Sequence, residues 1–182
     1  MRPLIIINFI LFQLAWFACV LGAANAMPWL GVEVTAVILV WHFFSAKHAK
    51  FEMLLMLIAL TIGATFDQTM LSYHLIDYMH HGWSTSLVPV WILALWVGFT
   101  TALNVSLRWM HGRYFIAVIF GAVGGPLAYL SAEKLGALTL QGTNTYIALS
   151  IGWAIITPLL LFISAKFDGF KDSNAKLLNV KG

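Results

Sequence analysis

The sequence carries little charge. Charged residues make up 9% of its 182 positions, whereas apolar residues make up 61%. About a quarter of the residues of a typical soluble domain are charged, so this composition excludes a water-soluble globular protein. It also excludes a disordered chain, which needs low hydrophobicity. The formal net charge of only +3 gives no extended basic surface, and we expect no nucleic-acid partner.

Cysteine and the common catalytic motifs are also scarce. Cys19 is the single cysteine, which excludes an internal disulfide. The sequence contains no Gly-x-Ser-x-Gly elbow, no His-Glu-x-x-His helix and no phosphate-binding glycine loop. These absences disfavour the common hydrolases, zinc proteases and ATP-driven proteins. We therefore lean against an enzyme and expect no bound cofactor.

Long apolar runs dominate the rest of the chain. Each is about 17–23 residues long, the length that an α-helix needs to cross the hydrocarbon core of a bilayer. The runs are apolar on every face, whereas the strands of a membrane β-barrel alternate. The sequence predicts a single all-α, polytopic membrane helix bundle of about six transmembrane helices, followed by a Lys-rich tail over 166–182. The predicted spans are 3–24, 28–44, 51–73, 87–107, 114–130 and 146–165.

The basic residues indicate how the bundle is oriented. In this arrangement nine of the 10 Lys and Arg residues lie on one side of the membrane, and only Lys134 lies on the other. Cytoplasmic loops carry such an excess, so both termini are expected in the cytoplasm and the protein in a bacterial inner membrane. The Lys-rich tail would be attracted to anionic lipids there.

The first apolar run has an alternative interpretation. Residues 1–26 also resemble a signal peptide, with Arg2 at the start and Ala24-Asn25-Ala26 as a cleavage site. The apolar part is longer than usual and contains Asn8 and Gln13, which favours a retained helix.

Ionisable residues inside spans are costly and are therefore candidate functional sites. Asp67 lies within the third span, on the helix face expected to carry Gly63 and His74. It is either a proton carrier or substrate anchor, or a buried carboxyl that holds two helices together. Glu33, in the outer half of the second span, either faces Asp67 across a cavity or reaches the interface through its flexible side chain.

A second polar group lies toward the cytoplasmic side. It combines Asn8, His42, Asn104 and Arg108 from the first, second and fourth spans. Together these side chains could bind a lipid phosphate or carboxylate from the cytoplasmic leaflet. In the alternative, Arg108 extends to the surface and the Asn side chains bond across helices.

Histidines near the outer side suggest a metal site. On a helix His74, Asp77 and His81 would share one side and supply three ligands to zinc or iron. A solvated loop is the favoured interpretation of this segment.

Several short segments together resemble a known family. They include 8–13, 16–24, Pro89-Val90-Trp91, 121–122 and 124–129, with Leu135-Gly136-Ala137. In this combination the chain is similar to a bacterial inner-membrane family, domain of unknown function 2878. Residues 131–134 depart from its pattern. The family has no established activity, so the resemblance implies no catalytic residues. Its genes often lie near those of methyltransferases that resemble cyclopropane-fatty-acid synthases, which implies a link to lipid modification.

Three functions follow as expectations. The first is a non-catalytic accessory in membrane-lipid modification or envelope homeostasis, whose partners are membrane lipids and a lipid-modifying enzyme. The second is a small transporter or flippase of an amphipathic molecule that uses Asp67. The third is a membrane-embedded metal enzyme. A homo-oligomer is compatible with each of them.

Overall fold

The computed structural model describes residues 2–171, which form an all-α helical bundle of the kind that the sequence predicts. The helices of this range are α1 (Arg2–Ala24), α2 (Leu30–Ser45), α3 (Ala49–Ser72), α4 (Val90–Leu103), α5 (Tyr114–Lys134) and α6 (Thr143–Lys166). A 3-10 turn over Arg108–Met110 joins α4 to α5. Two short strands were not predicted: β1 (Ile76–Tyr78) pairs antiparallel with β2 (Leu138–Leu140), with Asp77 opposite Thr139.

The helices fall into two classes by length. Within the described residues, α1, α3, α5 and α6 are long and apolar enough to cross a membrane, whereas α2 and α4 are shorter. The 14 residues of α4 span about 21 Å, less than the predicted span of 87–107. Pro89 precedes the first residue of α4, and the chain turns at Asn104, where that helix ends.

Helix α4 is the buried centre of the bundle. Eleven of its 14 residues are buried, so it presents apolar side chains in almost every direction. The outer helices instead expose large apolar side chains, such as Val37 (71% exposed), Phe44 (86%) and Phe115 (78%). An apolar exterior around a packed centre is the arrangement that a bilayer requires.

The helices alternate in direction, which gives the bundle two ends. We call the basic end the one where α1, α3 and α5 begin, and the sheet end the one that carries β1 and β2. Helix α1 packs on α2 and α4, α3 packs on α4, and α5 packs mainly on α6. Helices α1 and α5 therefore belong to different parts of the bundle.

A stacked tryptophan pair connects these parts. The rings of Trp96 on α4 and Trp153 on α6 lie 4.9 Å apart and nearly parallel, at 8°. Gly63 of α3 lies against the Trp96 ring, and Gly125 of α5 lies against Trp153. The absence of a side chain at these glycines lets both neighbouring helices approach the aromatic pair.

Two adjacent glycines of α5 test this packing. In Gly125→Ala the new Cβ would lie 2.2 Å from Cγ of Trp153, whereas in Gly124→Ala its nearest neighbour would be Phe120 at 4.0 Å. Over-packing of this kind typically costs about 1–3 kcal/mol, while Ala favours a helix over Gly. We expect Gly125→Ala to lower the unfolding temperature in detergent and Gly124→Ala to leave it unchanged or raise it. Equal unfolding temperatures for the two variants would contradict the packing.

Candidate functional site

A half-enclosed groove of about 820 Å³ lies between α1 and α5. Helices α4 and α6 form its back wall. The groove exists because α1 packs on α2 and α4 while α5 packs on α6, which leaves the facing sides of α1 and α5 apart.

Ten of the 28 described residues that line the groove are aromatic. Small residues of α5, including Gly121, Gly124 and Ala128, open space between these rings. Lys134 is the one charged residue among the described lining residues, and it lies at the sheet end. The aromatic lining consists of Phe9, Phe12, Trp16, Phe17, Trp91, Trp96, Phe99, Phe120, Tyr129 and Trp153.

The groove extends over most of the bundle. Its lining runs from Phe9 to Val20 on α1, which is about 17 Å of helix. On α5 it runs from Phe120 to Lys134, about 21 Å. Since the hydrocarbon core of a bilayer is about 30 Å thick, the groove covers more than half of that depth.

Asp67 lies behind the groove wall and is fully buried. Its Oδ1 accepts hydrogen bonds from the hydroxyls of Tyr78 and Tyr129, both at 2.6 Å. Its Oδ2 accepts one from Nε1 of Trp96 at 2.5 Å. Helices α3, α4 and α5 and strand β1 each contribute one of these four residues.

These donors satisfy a carboxyl group far from water. The indole N–H can only donate, so Oδ2 of Asp67 must accept. Burial, with the neighbouring Asp67 carboxyl, raises the pKa of Tyr78 well above its usual value, which keeps the phenol protonated as a donor. A buried carboxyl without partners is very costly. We therefore infer that the Asp67 carboxyl fixes the positions of its three hydrogen-bond donors.

The Asp67 carboxyl contacts two residues that form the wall of the groove. Trp96 and Tyr129 line the groove, whereas Asp67 does not. The hydrogen bonds hold both aromatic side chains in place from behind. The sequence pointed to Asp67 but not to its partners, because aromatic donors have no spacing pattern that marks them.

The structure separates Asp67 from two residues that the sequence associated with it. Glu33 is exposed on the first turn of α2. This position fits the alternative in which its side chain reaches the interface and does not face Asp67. The prediction that His74 shares a helix face with Asp67 is wrong, because α3 ends at Ser72. His74 follows that end in a left-handed conformation, with φ of 53°.

The suggested metal ligands are not gathered together. The segment after α3 is a turn and a strand, so the helical spacing of His74, Asp77 and His81 does not arise. Asp77 accepts a hydrogen bond from Gln141, and Nδ1 of His81 lies 2.7 Å from the Leu87 carbonyl. Among residues 2–171 no group of three His, Cys, Asp or Glu residues is placed to hold a metal ion.

Three residues of the second predicted group do meet at the basic end. His42 and Asn104 both contact the buried carboxylate of Glu52, through Nε2 at 3.0 Å and Nδ2 at 2.7 Å respectively. Arg108 donates from Nε to the Asn104 carbonyl at 2.8 Å. Asn8 is not part of this network, since it donates to the carbonyl of Thr101.

These basic and amide side chains bind carboxylates of the chain itself. Glu52 holds His42 and Asn104, and Asp168 forms a two-oxygen ion pair with Arg108. Glu52 was not predicted as a site residue, although a Glu just inside an apolar run was a usable signal. Asp168 had no comparable signal, since it falls in the Lys-rich tail.

Removing one donor tests the role of Asp67. Tyr129→Phe leaves Oδ1 with only the Tyr78 hydroxyl, and removing a hydrogen-bond partner from a buried polar group typically costs about 1–3 kcal/mol. We expect a lower unfolding temperature in detergent. Tyr73→Phe, at a residue that is 74% exposed, is the matched control and should behave as the parent. If both variants unfold with the parent, the Asp67 contacts do not stabilise the bundle.

Comparison with known proteins supplies a family. The family model described as "Protein of unknown function (DUF2878)" matches residues 5–159. No curated protein and no solved structure matches the chain. The matched range contains the groove lining, Asp67 and its three partners, and ends before Asp168. The chain therefore belongs to the DUF2878 family of proteins of unknown function.

Proposed function

We propose that this protein binds the acyl chain of a membrane lipid in the groove between α1 and α5. The observation that carries the proposal is a long, aromatic groove on the side of a bundle whose exterior is apolar. Small-molecule sites typically measure about 300–1,000 Å³ and are mostly apolar, so the volume suits a lipid-sized ligand.

The surroundings of the groove favour an acyl chain as its occupant. Phe17 on α1 and Phe120 on α5 line the groove and are 45% and 44% exposed. Helices α1 and α5 are both long and apolar enough to span a membrane. Lipid chains are therefore the molecules that would meet these rings.

The proposal also includes the membrane in which the protein lies and the orientation of the protein in it. The one-sided distribution of Lys and Arg supports a bacterial inner membrane with the basic end in the cytoplasm. In that orientation Lys134 lies at the opposite end of the groove from the other Lys and Arg residues of the described range 2–171.

An accessory role in lipid modification fits the position of Asp67 best. Its carboxyl is enclosed by Tyr78, Trp96 and Tyr129, so it supports the wall rather than facing a ligand. A protein of this kind would hold a lipid in the membrane for a separate lipid-modifying enzyme. The resemblance to a family whose genes often lie near those of methyltransferases similar to cyclopropane-fatty-acid synthases points the same way by association.

Transport of a lipid is the second candidate. The observation that favours it is the length of the groove, which continues from near the basic end to the sheet end. A lipid could follow such a path between leaflets. Transport coupled to protonation would require Asp67 to become accessible from the groove.

Filling the groove tests the proposal. In Ala128→Trp a large ring projects from a groove-lining position of α5. The matched control is Val123→Trp, at an outward position of the same helix that is 54% exposed. We expect lipid mass spectrometry to find lipid bound to the purified parent and to Val123→Trp in similar amounts, and several-fold less bound to Ala128→Trp.

Two results would contradict lipid binding in the groove. One is a purified parent protein that retains no lipid after mild detergent extraction. The other is equal lipid retention by a folded Ala128→Trp variant and by Val123→Trp, which would assign the lipid to the outer surface.

A further inference from the structure

The chain that follows α6 folds back across the basic end. We call residues 167–170 the C-terminal strap. The backbone N–H of Gly169 donates to Oε1 of Glu52 at 2.8 Å. The Gly169 carbonyl accepts from the backbone N–H groups of Lys47 and His48, each at 2.9 Å. The strap is thus tied to α3 and to the turn between α2 and α3.

Side chains fix the strap at two further points. Asp168 forms an ion pair with Arg108, and the ring of Phe170 lies 5.1 Å from that of His42. The fit around Gly169 is close, because an added Cβ would lie 2.6 Å from Cγ of Glu52.

The strap also contacts the turn that lines the groove at its basic end. Asn104 donates from Nδ2 to the Phe167 carbonyl at 3.0 Å, and Arg108 pairs with Asp168. Between Asn104 and Arg108 lie Ser106 and Leu107, which line the groove. The strap therefore holds both ends of the segment that forms this part of the groove wall.

The geometry points to the strap as a releasable latch that keeps the basic end of the groove closed. When the strap leaves, residues 104–108 lose two tertiary contacts, and the groove opens toward the basic end. This inference concerns the wall of the groove and does not depend on which molecule the groove binds.

The contacts are suited to release. The Arg108 side chain is 34% exposed and that of Asp168 is 9% exposed; on release Arg108 stays in contact with water and Asp168 leaves with the strap, so neither charge is left buried without a partner. After release Glu52 keeps His42 and Asn104 as partners, so undocking does not leave a bare buried carboxylate. Release is therefore far less costly than breaking the centre of the network.

Thiol labelling tests the latch. Ser106→Cys places a thiol at the basic end of the groove, and Ala132→Cys places one at a buried lining position near the sheet end. The parent chain measures the background from Cys19, which is fully buried. Labelling by a water-soluble maleimide is compared with and without Asp168→Asn, in the full-length protein in detergent. Gly169→Ala disturbs the docking by a second route.

We expect both strap variants to raise the labelling rate of Ser106→Cys several-fold and to leave that of Ala132→Cys unchanged. An unchanged rate at Ser106→Cys in folded strap variants would overturn the latch. An equal rise at both positions would also overturn it, because it indicates loosening of the whole bundle. Either result would leave lipid binding by the groove untouched.

Discussion

The carboxyl of Asp67 is the constraint on which the rest of the bundle depends. A carboxyl this deeply buried must find partners within the protein, and it finds them in Tyr78, Trp96 and Tyr129. Satisfying it brings α3, α4, α5 and β1 to one point. The stack of Trp96 on Trp153 then extends the same contact to α6.

The groove lies on the opposite side of the residues that bind Asp67. The residues that satisfy Asp67 from one direction, Trp96 and Tyr129, form the wall of the groove in the other. Close glycine contacts let α3 and α5 approach the aromatic pair, while α1 stays with α2 and α4. Buried polar bonding and aromatic packing thus create an apolar groove rather than a filled core.

The sequence predicted the helices better than it predicted the site. Long apolar runs mark membrane helices because the bilayer imposes their length, and Asp67 stood out because a carboxyl there is costly. Its partners depend on tertiary contacts: Tyr78, for example, lies on β1, which pairs with the distant strand β2. His74 was misplaced because apolar periodicity does not show where α3 ends. Three of the residues suggested for a lipid headgroup site instead bind carboxylates of the chain itself. His42 and Asn104 bind Glu52, and Arg108 binds Asp168.

The most direct measurement is photo-crosslinking with a fatty-acyl probe that carries a photoreactive group along its chain. The protein in native-like membranes is irradiated, and adducts are located by mass spectrometry with unlabelled lipid as competitor. The account predicts competable adducts on groove residues such as Phe12, Trp16 and Tyr129. Adducts confined to outward residues such as Val37 and Phe115, and insensitive to competitor, would contradict it.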